Sequence, residues 1–233
     1  GLMALSKAVL DLPAKLLTPE QRAFCESFRK TLPPLPTRER RGHQTLAPAE
    51  SWKSESTWDN IELPELYPVF PFHVYGVGKP GLQLARDTWE FSYEQPRQKR
   101  NFCWYQSLIY TADLGLTEEA REFALGKFLW PYHEKGGQSG LRYPAFYDTH
   151  GFCQRPDFDH GGCAMVGLQE MLMQTVDRKI LLFPAWPKDW DCEFKLHAPS
   201  NTIVAGVLKA GKLEKLTVTP AVRARDVVNM LDK

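Results

Sequence analysis

Apolar residues recur at helical intervals through most of the chain and change to strand-like alternation near its end. Leu5, Ala8, Val9 and Leu12 have helical spacing, and Pro13 closes that run. Thr18-Pro19-Glu20-Gln21 is a helix start: a capping hydroxyl, proline at the first helical position and glutamine three residues after the cap. It predicts a helix to about Lys30, stopped by Leu32-Pro33-Pro34-Leu35-Pro36. Residues 37–81 are rich in proline, tryptophan and glutamate and read as long ordered loops with short strands or turns. From Gly81 the helical period returns. Leu82, Leu84, Ala85, Trp89 and Phe91 mark one helix, and Phe102, Tyr105, Gln106, Leu108, Ile109 and Ala112 a second that ends near Gly115. Thr117-Glu118-Glu119 begins a third, carrying Ala120, Phe123, Ala124, Phe128 and Leu129. The short Leu114-Gly115-Leu116-Thr117 connection predicts that the last two are antiparallel neighbours.

A Gly- and aromatic-rich loop runs from Trp130 to His160, and an apolar helix is expected from about Gly161 to Thr175. After Lys179 the period becomes two. Ile180-Leu181-Leu182-Phe183 reads as a short strand, and Phe194 and Leu196 alternate with Glu193 and Lys195. The runs from Thr202 to Lys209 and from Leu213 to Thr219 flank the turn Ala210-Gly211-Lys212. The expected fold is mainly α with β: a helical domain over residues 1–177 and a small antiparallel β module over 178–233.

Composition narrows the classes. With 233 residues, 43% hydrophobic and 24% charged, the chain has enough apolar material for a substantial core. A net charge of +1, and no basic run beyond Arg38-Glu39-Arg40-Arg41, argue against a nucleic-acid or anionic-membrane partner. No apolar run reaches the roughly 20 residues that span a bilayer. No basic n-region followed by an apolar h-region opens the chain, so no signal peptide is expected in it. Cys25, Cys103, Cys153, Cys163 and Cys192 are scattered, odd in number and without a C-x-x-C pair, which points to neither a disulfide framework nor a zinc site.

The candidate chemistry centres on Cys153-Gln154-Arg155-Pro156-Asp157-Phe158-Asp159-His160-Gly161-Gly162, which opens the apolar helix. A carboxylate at a helix N-terminus is held by backbone N–H groups and by the helix dipole, so Asp159 would be oriented and kept ionised, either as an ordinary N-cap or as a base. Asp157 reads as a turn residue after Pro156 or as a ligand contact. His160 can bond a hydroxyl, orient Asp159 or serve the core. Glu62 and Glu65 flank Pro64 beside an aromatic run, and each can hydrogen-bond a ligand, supply an acid or be a helix-start charge; Glu50 and Trp52, which follow Leu46-Ala47-Pro48-Ala49, are a further candidate contact. Trp58, Phe72, Tyr143, Phe146, Tyr147 and Phe152 are loop aromatics, suited either to stack on a ligand ring or to anchor packing. His73 and His150 have no H-E-x-x-H spacing, so neither a metal nor another cofactor is expected.

Asp159-His160-Gly161-Gly162 through Gly167 and Glu170-Met171-Leu172-Met173-Gln174, then Leu181-Leu182-Phe183-Pro184-Ala185-Trp186-Pro187, resembles the C-terminal part of the inverting α-L-fucosidases, glycoside hydrolase family 95, and their six-hairpin glycosidase relatives. In that family an Asp opens a glycine-rich turn eleven residues before a Glu-Met-Leu-Leu-Gln helix end, and counting back eleven from Glu170 reaches Asp159. Leu66-Tyr67-Pro68-Val69-Phe70-Pro71 is similar to the family's Leu-Tyr-Gly-Leu-Phe-Pro segment. The resemblance implies a partial (α/α)6 toroid with a β-sandwich-like tail and inverting hydrolysis of a glycosidic bond in plant- or host-type glycans. It also implies Asp159 as general base, an oligo- or polysaccharide partner, and a periplasmic or extracellular bacterial setting. Where the family has histidines before its Leu-Tyr, this chain has Glu62 and Glu65, and Gly161 replaces the Asn after the base. Roughly half the helices of a full toroid are readable. The expectation is therefore a C-terminal half that lacks the general acid, with the missing N-terminal half as a partner. A non-catalytic carbohydrate-binding half-toroid is the first rival. A lyase or epimerase is the second, for which Arg142-Tyr143 is the nearby pair.

Overall fold

In the computed structural model, which describes residues 1–51, 63–92, 104–129 and 158–231, the helix starts and strand alternation of the sequence become six α-helices and eight strands among the described residues. The chain divides into two units, Gly1–Gln95 and Pro96–Lys233. Both helix and antiparallel sheet contribute substantially, so the class is mixed α and β. None of the described helices is long and apolar enough to cross a membrane.

The first unit begins with α1 (Leu2–Leu10), a 3-10 turn at Ala14–Leu16 and α2 (Pro19–Thr31). The start signal at Thr18 is a full capping box: the Gln21 N–H donates to Thr18 Oγ1 at 3.2 Å, and the Thr18 N–H donates to Gln21 Oε1 at 2.9 Å. Its own backbone N–H and the Thr18 hydroxyl hold the Glu20 carboxyl below the ordinary range. Strands β1 (Thr37–Arg40) and β2 (His43–Leu46) form a hairpin whose turn residues, Arg41 and Gly42, both have positive φ, as a primed two-residue turn requires. Helix α3 (Leu82–Phe91) packs on β2 and buries Ala85 and Trp89. Thr88 joins the two: its Oγ1 accepts from the Leu46 N–H at 2.8 Å and donates to the Leu84 carbonyl at 2.7 Å. A 3-10 turn at Pro64–Leu66, beside α3, carries Glu65 and Leu66 into the interior.

In the second unit α4 (Ser107–Asp113) is buried along its whole length. It closes as a Schellman motif: Gly115, at φ 67°, donates to the Ala112 carbonyl at 3.0 Å, and Leu116 donates to the Thr111 carbonyl at 2.9 Å. That left-handed glycine returns the chain into α5 (Thr117–Leu129), which packs against α4. Helix α6 (Phe158–Leu172) lies against both. At the contact a Cβ built on Gly167 would stand 2.3 Å from Leu108 Cγ. Gly167→Ala is therefore expected to destabilise the protein by about 1–3 kcal/mol through overpacking. Gly162→Ala, whose Cβ meets nothing within 4 Å, is expected to stabilise it by about 0.5–1 kcal/mol through helix propensity. Urea unfolding of the two variants checks the opposite signs.

Helix α6 is shifted from the expected span of 161–175. It starts three residues earlier and ends at Leu172, and Met173–Val176 is strand β3. The β-branched Thr175 and Val176 pair with β4 (Lys179–Leu182) across a turn in which Asp177 has φ 52°, and that pairing overrides the helical spacing of the apolar residues. Asp159 accordingly stands within the first turn of α6 rather than at its N-cap. Gln174, at the start of β3, donates to the carbonyls of Ala112 at 2.7 Å and Glu170 at 2.9 Å, tying the C-terminal ends of α4 and α6 together.

Strands β5 (Cys192–Ala198), β6 (Thr202–Lys209) and β7 (Lys212–Thr219) form an antiparallel sheet, with Ala210 and Gly211 at positive φ in the expected hairpin turn. The tail departs from the all-antiparallel expectation at β8 (Val227–Asn229), which runs parallel to β4 in a sheet of order β3-β4-β8. One apolar core takes Leu108 from α4, Ala120 from α5, Met171 from α6, Leu182 from β4, Val204 from β6 and Val218 from β7. Leading into β8, the 3-10 segment Ala221–Asp226 buries Arg223, which pairs with Asp226 and donates from Nε to Thr202 Oγ1 at 3.1 Å.

Candidate functional site

The end of the helical layer where α5 finishes and α6 begins brings together a buried lysine, a buried histidine and an exposed aspartate. Ala120, Ala124 and Lys127 follow one another at four- and three-residue intervals on α5, and all three are buried. The helical period thus carries the lysine onto the core face with the alanines. Across from it, His160 on α6 is 3% exposed, and its Nε2 lies 3.1 Å from the Lys127 carbonyl oxygen. A carbonyl only accepts, so Nε2 bears the proton and donates. This bond fastens the last turn of α5 to the first turn of α6.

The residue before His160 points the other way. Asp159 is exposed, on the first turn of α6, where the backbone N–H groups present their positive end. One turn further along the same face, the Cys163 thiol donates to the Trp104 carbonyl at 3.5 Å. That contact places residue 104 beside the face that carries Asp159. Trp104 is 45% exposed, so a half-exposed aromatic residue and an exposed aspartate share this end of the unit. Phe158, immediately before Asp159, is also largely exposed.

His160→Ala is expected to cost about 1–3 kcal/mol, from the lost hydrogen bond and the hole left behind. Faster amide exchange in the first turn of α6 than in its centre would locate the damage at the clamp; uniform change along the helix would contradict that role.

Of the other residues singled out by the sequence, Glu65 is 2% exposed and Glu50 is exposed; both belong to the first unit. Glu62, Trp52, Trp58, Asp157, Phe146 and Tyr147 lie outside the described residues, as do Tyr143, His150 and Phe152. Asp159 and His160 are thus the two predicted site residues brought together in the second unit, one facing solvent and one facing the core. Lys127 and Trp104 were not singled out by sequence. The lysine's signal was its register with Ala120 and Ala124; the tryptophan had none beyond being an aromatic just ahead of a helix.

Among the described residues no group of three or more His, Cys, Asp or Glu side chains is placed to hold a metal ion. Burial pushes the Cys192 thiol up, assisted by Asp191 and opposed by a backbone hydrogen bond at Leu208, which marks it as an unreactive packing residue. The Leu181–Pro187 motif is likewise structural: Leu181 through Pro187 are all buried. Trp186 donates from Nε1 to the Trp190 carbonyl at 2.9 Å, and Arg121 of α5 grips Asp189 with both terminal nitrogens, at 2.9 and 2.8 Å, with its guanidinium over the Trp190 ring. No family model matches the chain, and no curated protein matches it.

Proposed function

We propose that the chain is a carbohydrate-active protein related to the inverting glycoside hydrolases, with Asp159 as the general base. The observation that carries this reading is the exposed Asp159 at the positive end of α6, on a helix turn anchored by His160, with the backbone of the half-exposed Trp104 bonded to Cys163 one turn further along. A sugar is recognised by just such a combination, since its apolar ring face stacks on an aromatic while its hydroxyls and the attacking water bond a carboxylate. The eleven-residue interval to Glu170 is close to three helical turns, so both acids lie on nearly one face of α6, about 16 Å apart along its axis. That distance is too long for the pair to be the two catalytic carboxyls, which stand roughly 6.5–9.5 Å apart in inverting enzymes. Glu170 is therefore a register mark and not the acid.

In this mechanism Asp159 takes a proton from a water molecule, and the water oxygen attacks the anomeric carbon on the face opposite the leaving oxygen. A second carboxyl group protonates that leaving oxygen, and the product has the opposite anomeric configuration. Within this reading the helical hairpin α4–α5 with α6 belongs to an α/α toroid, and β3 to β8 to its sandwich-like tail.

A panel of fucosylated and other oligosaccharides, screened in parallel for binding by calorimetry and for reducing-sugar release, tests the proposal. Release of sugar from one class of glycan, in the presence of the segment that supplies the second carboxyl group, is the expected outcome. Binding without release would assign the non-catalytic rival, and neither binding nor release across the panel would remove carbohydrate from the reading.

A further inference from the structure

The outward face of the β5-β6-β7 sheet carries a groove that the chemistry at α6 does not use. Residues alternate between the two faces of a strand, so Val204 and Leu208 of β6 enter the core while Ile203, Ala205 and Val207 face outward. Ala205 is the low point. In register it stands between Lys195 of β5 and Thr217 of β7, both exposed and both longer. The outer strands lie about 9.6 Å apart, two strand spacings. Glu193 and Lys195 on one side and Lys215, Thr217 and Thr219 on the other wall a groove of about 350 Å³ over the apolar floor. That volume falls in the range of small-ligand sites, about 300–1,000 Å³.

Its charge is one-sided. Between Cys192 and Thr219 the sheet has four lysines, Lys195, Lys209, Lys212 and Lys215, against two glutamates, Glu193 and Glu214, with His197 alongside. All four lysines are exposed, and among the described residues none is engaged by a carboxylate. Lys209 and Lys212 are direct register partners at the hairpin end, an arrangement that is unfavourable without an anion to share. The nearby acids beyond the strands are already occupied: Asp191 accepts from the Ala210 N–H at 2.8 Å, and Asp189 is held by Arg121. Lys188, beside Gly211, adds a further cation to the same end.

We infer that this groove binds an acidic oligosaccharide, a chain of sugars that carry carboxylates. The carboxylates pair with Lys195 and Lys215, the sugar hydroxyls bond Thr217, Thr219 and Glu193, and the apolar ring faces lie on Ile203 and Val207. The face selects against other polyanions. A nucleic acid is held by arginine and by bases stacked on aromatic rings, and the outward positions carry no arginine and no Phe, Tyr or Trp. An acidic peptide in extended form adds to the edge of a sheet and does not lie across its face. The saccharide class rests on the proposed function, whereas the preference for negative charge rests on the sheet alone.

Calorimetric titration of the full chain at low ionic strength tests the inference, with a hexamer of galacturonic acid, a hexamer of galactose, an oligoglutamate and a single-stranded oligonucleotide as probes. The galacturonate hexamer is expected to bind best, and to bind more weakly as salt is added. Lys195→Glu/Lys215→Glu is expected to weaken that binding by about tenfold or more, with an unchanged circular dichroism spectrum and unfolding midpoint. Ala205→Trp, which fills the groove and leaves its charge alone, is expected to weaken it as well. Asp159→Asn is expected to bind like the wild type, so that binding on the sheet and sugar release at α6 succeed or fail separately. Absence of galacturonate binding, equal binding of the neutral hexamer, or tighter binding of the peptide or the oligonucleotide would overturn the inference. So would binding that survives both sheet variants or is lost in Asp159→Asn.

Discussion

Asp226→Ala is expected to lower the free energy of unfolding by about 3–5 kcal/mol, because it leaves the buried Arg223 guanidinium without its carboxylate. Both residues are 7% exposed, and Arg178 adds a longer contact to the same carboxylate at 3.7 Å. The pair gains its importance from position. It folds Ala221–Asp226 onto Thr202 of β6 and delivers the chain into β8, which among the described residues pairs only with β4, in a short parallel ladder. The cost arises from an orphaned charge and not from intrinsic strength of the ion pair, which suggests a control. Replacing both residues by apolar side chains of similar size is expected to recover most of the loss. Urea unfolding of the single and double variants checks both; a double variant as unstable as Asp226→Ala would show that the hydrogen bond to Thr202 dominates instead.

Asp159→Asn carries the other large effect, and it falls on turnover. A positioned general base is worth about 10²–10⁴-fold in rate, so the variant is expected to lose that factor in kcat on any glycoside the wild type cleaves. Stability is expected to change little. The side chain is exposed, and losing its charge in the first turn of α6 costs about 0.3–1 kcal/mol of helix-dipole interaction, small beside the effect on turnover. A catalytic loss without a shift in unfolding midpoint separates the base from a structural carboxylate, for which both would move together.

Which parts of this molecule were legible in advance depended on whether local chemistry or distant pairing decided them. The α2 capping box, the α4–α5 connection through Gly115 and the Ala210-Gly211 turn were readable because each is settled by residues within a few positions of one another. The boundary between α6 and β3 was not. Met173 to Val176 continue the helical pattern of apolar residues, and only the partner strand, which begins three residues after Val176, pulls them into a ladder. Strand β8 was missed for the same reason: three residues pairing in parallel with a strand some 45 positions earlier leave no local period. At the candidate site, the spacing from Glu170 singled out Asp159, and a helix N-terminus was expected there. The opposite orientations of Asp159 and His160 depend on where α5 packs, which no pattern within α6 reveals. Most of the loop aromatics and acids proposed from composition lie outside the described residues.

The most direct measurement is the anomeric configuration of the first sugar released. Proton nuclear magnetic resonance follows a cleaved glycoside from the moment of mixing, with the wild-type chain and with Asp159→Asn in parallel. Asp159 acting as a general base on water requires the inverted anomer to appear first, and the variant to produce it at least a hundredfold more slowly. A retained anomer, or a variant that cleaves at the wild-type rate, would contradict the role assigned to Asp159.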